Sequence, residues 1–152
     1  MKMNLTPNNV WRGAYKSVPF KIVNWHFVSG TRLFPSGNWN FYLYFRESAC
    51  ADFRSIWLPD KRVRIAPDCP EHITHDYYSC PLANVDFHCG ITYYEKSGYS
   101  RGHRCVEAGC DYQHNYDEDC SYTVASVADD VKRAVESAYE LGILKPAVNI
   151  KI

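Results

Sequence analysis

The chain has 152 residues, room for one domain with a substantial core but not for two comfortable ones. Its 17 basic residues balance 17 acidic ones, which argues against nucleic acid and anionic membrane as partners. The opening "MKMNLTPNNVWRGAYK" lacks the apolar stretch of a secretion signal, and no run approaches the roughly 20 apolar residues of a spanning helix. A cytoplasmic protein with no membrane segment is expected.

In chain order, Val10–Gly30 is rich in β-branched and aromatic residues and broken at Pro19, which predicts two strands. Pro35 and Gly37 punctuate a turn, and Trp39–Phe45, apolar at nearly every position, reads as a strand buried on both faces. "DFRSIWLPDKRVRIAP" predicts two short strands around a turn at Pro59-Asp60, and "DCPEHITHDYYSCPL" a loop or single helical turn. Ala83–Glu95 is expected to be a strand. Val85, Phe87, Cys89 and Ile91 then share one face, and Asp86, His88, Gly90 and Thr92 the other. "SGYSRG" closes a hairpin into "HRCVEAG", and residues 112–120 form an acidic loop.

The tail changes period. Val127, Val131, Ala134 or Val135, Ala138 and Leu141 recur at helical spacing, with Ser126 and Asp129 as a capping box and Gly142 and Pro146 as stop signals. The fold class implied is α+β: a mostly antiparallel sheet with one C-terminal amphipathic helix packed on it, residues 1–152 forming a single domain.

Three cysteines and three histidines crowd Val85–His114. The seven cysteines of the chain are an odd number, and in a cytosolic protein free thiols are the default. Structural zinc needs four ligands; Cys69, His72, His75 and Cys80 make the better set, His103, Cys105, Cys110 and His114 the poorer. Neither has the paired Cys-x2-Cys rhythm, so the expectation is no cofactor, with structural zinc as the lesser alternative. Cys105, beside His103 and Arg104, has the neighbours of a nucleophile, yet a cysteine so placed is more often structural. No phosphate-binding Gly-Lys loop, Gly-x-Ser-x-Gly elbow or His-Glu-x2-His helix is present. Ligand binding fits better. His88, Gly90, Thr92, Tyr94, Arg104 and Asp111 gather imidazole, ring, guanidinium and carboxylate around one hairpin, a set suited to a nucleotide-like anion.

This hairpin resembles a family of small tailed-phage proteins of unassigned role. These carry "IP-x-x-HP", then "VHGGLTY" or "VHGGITF", then "GFDCAHAGD" and a closing helix. The counterparts here are "RIAPDCP" (Arg64–Pro70), "VDFHCGITYY" (Val85–Tyr94), "GHRCVEAGCD" (Gly102–Asp111) and "YTVASVADDVKRAVESA" (Tyr122–Ala138), so the likeness spans roughly residues 62–140. The chain departs from the pattern at Cys89, Arg104 and Glu107, and Cys110 is an apparent insertion. The loss of the family's Asp and second His argues against carrying over a hydrolytic role.

The resemblance implies a viral accessory protein of the host-cell cytoplasm, acting in counter-defence or host takeover. It would bind a nucleotide-like small molecule or a host defence protein without turnover. One alternative is a metal-dependent nucleotide or phosphoester hydrolase using His88, His103, Asp111 and His114; a second is a structural or assembly protein. Oligomeric state is not legible.

Overall fold

A computed structural model describes residues 9–25, 37–58, 62–64, 80–100, 103–112, 117 and 120–146. Six antiparallel strands form one sheet. They are β1 (Asn9–Tyr15), β2 (Val18–Trp25), β3 (Asn38–Arg46), β4 (Arg62–Arg64), β5 (Tyr93–Ser100) and β6 (His103–Asp111), in the order β1-β2-β3-β6-β5-β4. Five are long; β4 is a three-residue edge. Helix α2 (Val124–Glu140) packs on β2 and β3, so the expected α+β arrangement is the one observed. No described helix is long and apolar enough to cross a membrane.

The core follows from alternation. Along β3, Trp39, Phe41, Leu43 and Phe45 are buried while Tyr42 and Tyr44 on the other face are half-buried, which corrects the reading of a strand buried on both faces. Register carries the apolar face across the sheet: Ile22, Phe41 and Cys110 lie in one row, Phe45 and Val106 in another. From α2, Val127, Val131, Ala134, Val135 and Ala138 close the same cluster. Leu141, expected to join them, is exposed just before Gly142 (φ 75°) ends the helix.

The helix begins earlier than the Ser126–Asp129 pair suggests. Thr123 Oγ1 accepts from the Ser126 N–H at 3.1 Å, and Ser126 Oγ accepts from the Thr123 N–H at 2.9 Å. Ser126 thus plays the part usually given to Glu.

Three other elements differ from expectation. The first hairpin turns at Lys16-Ser17, both left-handed (φ 46° and 67°), and Pro19 lies inside β2 opposite Ala14. Phe53–Ile56 is a helical turn, α1, not a strand, and it buries Phe53 and Ile56. Between Val85 and Thr92 there is no strand: a 3-10 turn at Pro81–Asn84 leads into a tight bend in which Cys89 (φ 58°) and Gly90 (φ 91°) are both left-handed. The hairpin of β5 and β6 is as expected, with Ser100 opposite His103.

Candidate functional site

The bend Asp86–Gly90 is pinned from both sides. Phe87, buried, stacks on Phe41 of β3 with ring centres 5.7 Å apart, and the Asp86 N–H donates to Ser137 Oγ of α2 at 2.9 Å. Beyond the bend the Thr92 N–H joins the Gly109 carbonyl at 2.9 Å and starts β5. The alternation of Val85, Phe87 and Ile91 is real as burial, but the chain reverses between them, and Cys89 is exposed instead of sharing their face.

Reversal aims His88 at Asp117. Its Nε2 lies 2.9 Å from Asp117 Oδ1, and the carboxylate belongs to a residue only 1% exposed. Tyr122 OH donates to the same oxygen. The imidazole stacks on Tyr112, centres 3.9 Å apart and planes within 9°, while the Tyr122 ring stands edge-on to it at 5.8 Å. Tyr112 OH in turn donates to Asp130 Oδ2 of α2 at 2.6 Å. Asp130 pairs with Arg133, whose Nε is 3.8 Å from Asp86. Sheet end, bend and helix are therefore joined through polar groups.

Burial raises the phenol pKa of both Tyr112 and Tyr122, and the bond to Asp117 adds to the rise at Tyr122. Both stay neutral donors across ordinary pH. The Cys89 thiol is also pushed up, first by burial and then by the Asp117 and Asp111 carboxylates, so it is a thiol and not a thiolate at neutral pH. An open cleft of about 210 Å³ runs over this corner, lined by Asp86, Phe87, His88, Cys89, Asp130 and Arg133. It is smaller than the roughly 300–1,000 Å³ typical of drug-sized ligand sites.

The structure brings together only part of the set read from the sequence. His88 lines the cleft, and Gly90 follows it in the bend with open space where a side chain would lie. Thr92 and Asp111 lie nearby, at the start of β5's pairing and the end of β6. Tyr94 is 0% exposed; its hydroxyl donates to the Ile56 carbonyl at 2.5 Å and accepts from the Leu58 N–H at 3.0 Å. It is core, with burial pushing its phenol up to about 12. Arg104 sits seven residues from Asp111 on β6, about 23 Å at the rise of a strand. There its guanidinium lies 5.7 Å from the Trp57 ring centre and its Nε 3.7 Å from Glu47.

Of the first zinc set, Cys69, His72 and His75 lie outside the described residues, and Cys80 is buried with its thiol pKa raised by that burial. Of the second, Cys105 and Cys110 point to opposite faces of β6, and His114 lies outside the described residues. Among the described residues no three His, Cys, Asp or Glu side chains gather to hold a metal. Cys105 is buried, with its thiol raised to about 11, so it lacks the activation a nucleophile needs.

Sequence reasoning missed Asp117, Tyr122, Asp130 and Arg133. No family model, curated protein or solved structure matches the chain.

Proposed function

We propose that the chain is a small ligand-binding protein whose cleft at His88 takes the phosphorylated end of a nucleotide-like molecule. The observation that carries this reading is the convergence of His88 and Arg133, from two distant parts of the chain, on one open cleft also lined by two carboxylates. The mixed lining suits a particular chemistry. A guanidinium and an imidazole meet phosphate oxygens, and Asp86 and Asp130 accept hydrogen bonds from sugar hydroxyls. Arg133 and Asp86 are both more than half exposed and 3.8 Å apart, a weak pair that an incoming phosphate can replace.

The likeness to small tailed-phage proteins gives this activity a setting. A viral accessory protein that sequesters a nucleotide signal in the host cytoplasm would act in counter-defence or host takeover. Direct capture of a host defence protein is the competing version.

Thermal unfolding with inorganic phosphate and a panel of mono-, di- and cyclic nucleotides tests the proposal. A ligand at 100 times its dissociation constant adds about 2.7 kcal/mol of stability. The shift is expected with at least one nucleotide and is expected to vanish in Arg133→Gln. No shift with any member of the panel defeats the proposal.

A further inference from the structure

A carboxylate taken wholly out of water costs several kcal/mol unless its partners repay it, and an apolar residue of similar size serves stability as well or better. Asp117 is such a carboxylate, its side chain fully buried against His88 and Tyr122. What it does supply is orientation. An imidazole whose Nε2–H faces a buried carboxylate is held in one tautomer, with Nδ1 as its acceptor nitrogen. The stack on Tyr112 and the edge of Tyr122 fix the plane of the ring. Tyr112 also reaches Asp130, which pairs with Arg133, so the imidazole and the guanidinium of the cleft hold a set spacing through one chain of contacts. Base, orienting carboxylate and anion-binding cation are the parts a hydrolytic site requires.

We infer that the cleft turns over its ligand: His88 is a general base for hydrolysis of a phosphoanhydride, Asp117 its positioning residue, and Arg133 the contact to phosphate. This rests on the phosphate-binding reading above and departs from binding without turnover. The nucleophile is water; Cys89, also in the cleft, has burial and the Asp117 and Asp111 carboxylates disfavouring its thiolate. A proton passes from water to Nδ1 of His88 as the water oxygen bonds to phosphorus. The bridging P–O bond breaks, and its electron pair leaves on the bridging oxygen. The imidazolium then returns the proton to the departing phosphate or to solvent.

The choice of an anhydride follows from the lining, in which His88 is the one imidazole among the described residues of the cleft. A phosphate or nucleotide monophosphate leaves as a stable anion, whereas an alkoxide needs a second group to protonate it. Nucleoside diphosphates travel as magnesium complexes, and magnesium is commonly held by one or two carboxylates plus substrate phosphates. Asp86, more than half exposed and paired with Arg133 only at 3.8 Å, is the carboxylate open to that contact, since both oxygens of Asp130 are engaged by Tyr112 and Arg133.

The test incubates the full chain with ADP, GDP and a UDP-sugar in magnesium buffer and follows the products by phosphorus NMR. Calorimetry measures binding of the same compounds in parallel. Release of nucleoside monophosphate from at least one is expected, with a rate that falls as pH drops through a single ionisation. His88→Gln should lower kcat by about 10²–10⁴-fold, far more than it weakens binding, which Arg133 still supports. Asp117→Asn should lower kcat and move the pH profile, an effect that a purely structural aspartate does not have. If Asp117→Asn fails to fold, Tyr122→Phe, which removes a hydrogen bond to the same oxygen, should move the profile in its place.

Binding without turnover overturns the base assignment and leaves the binding reading standing. Turnover that survives in His88→Gln overturns it as well. Absence of binding by any nucleotide removes the premise and the inference together.

Discussion

Where α2 lies on β2 and β3, Phe41, Leu43, Val127 and Val131 belong to one apolar cluster and meet through surface area alone. At the cleft, a few residues away, His88, Asp117, Tyr122, Tyr112 and Asp130 meet through directed hydrogen bonds and stacked rings. The first kind of contact is non-directional and scales with area; the second is sensitive to angle and distance. Phe41 belongs to both, since it packs in the core and also stacks on Phe87 beneath the bend. The comparison teaches where to look for each property. Stability should be concentrated in the cluster, and chemical selectivity at the corner.

Phe41→Ala is the largest blow to that division. The ring is 0% exposed, and truncations of this kind cost about 3–5 kcal/mol. Urea denaturation should show the loss, together with a disturbed cleft because Phe87 loses its partner. A loss below about 1 kcal/mol would mean that the cluster is not where the fold is held.

The two regions also differed in how far the sequence disclosed them. Strand β3 was legible as a near-unbroken apolar run, although its tyrosine face proves only half-buried, and α2 because its valines and alanines keep a helical period. The corner was misread for a physical reason. Val85, Phe87 and Ile91 alternate as a strand does, yet their burial comes from a reversal through left-handed Cys89 and Gly90. One glycine flanked by a cysteine gives little sign of such a turn. Lys16-Ser17 hid the first hairpin's turn in the same way, so Pro19 drew the boundary to itself.

Asp117 was illegible altogether. It stands 29 positions from His88 in the acidic run "YDEDC", where nothing in the sequence sets its carboxylate apart from the ones beside it. Gly109 too has a role visible only in the structure, close approach of backbone: a Cβ there would lie 2.5 Å from the Phe41 carbonyl oxygen and 2.6 Å from Tyr42 Cδ1.

Thr123 lies at the seam between the regions, next to Tyr122 and at the N-terminus of α2. Thr123→Ala removes one side of the capping box and should cost about 1 kcal/mol. Hydrogen exchange sharpens the comparison further. Amides of Val124–Val127 should open first while those of β3 keep their protection, since the apolar cluster does not depend on the cap. Equal loosening of β3 would show that cap and core form one cooperative unit.

The smallest effect belongs to a third kind of contact, exposed and charged. Tyr15 OH donates to Glu136 Oε1 at 2.6 Å and Lys16 Nζ lies 3.3 Å from the same oxygen, tying the first hairpin to α2. The Tyr15 hydrogen bond, then Lys16, holds the Glu136 carboxyl below its ordinary pKa. A carboxyl depressed in the folded state stabilises the protein above its unfolded pKa, and that contribution fades as pH falls through the folded value. Glu136→Gln should therefore lower Tm slightly at pH 7, with the difference closing in acid. Salt should shrink it too, because exposed pairs are screened. The hairpin has a second tie, Tyr139 OH to the Lys16 carbonyl at 2.6 Å, which limits the loss. A Tm difference that persists undiminished in acid would assign the hairpin's attachment to packing, and the charged tether would carry no part of it.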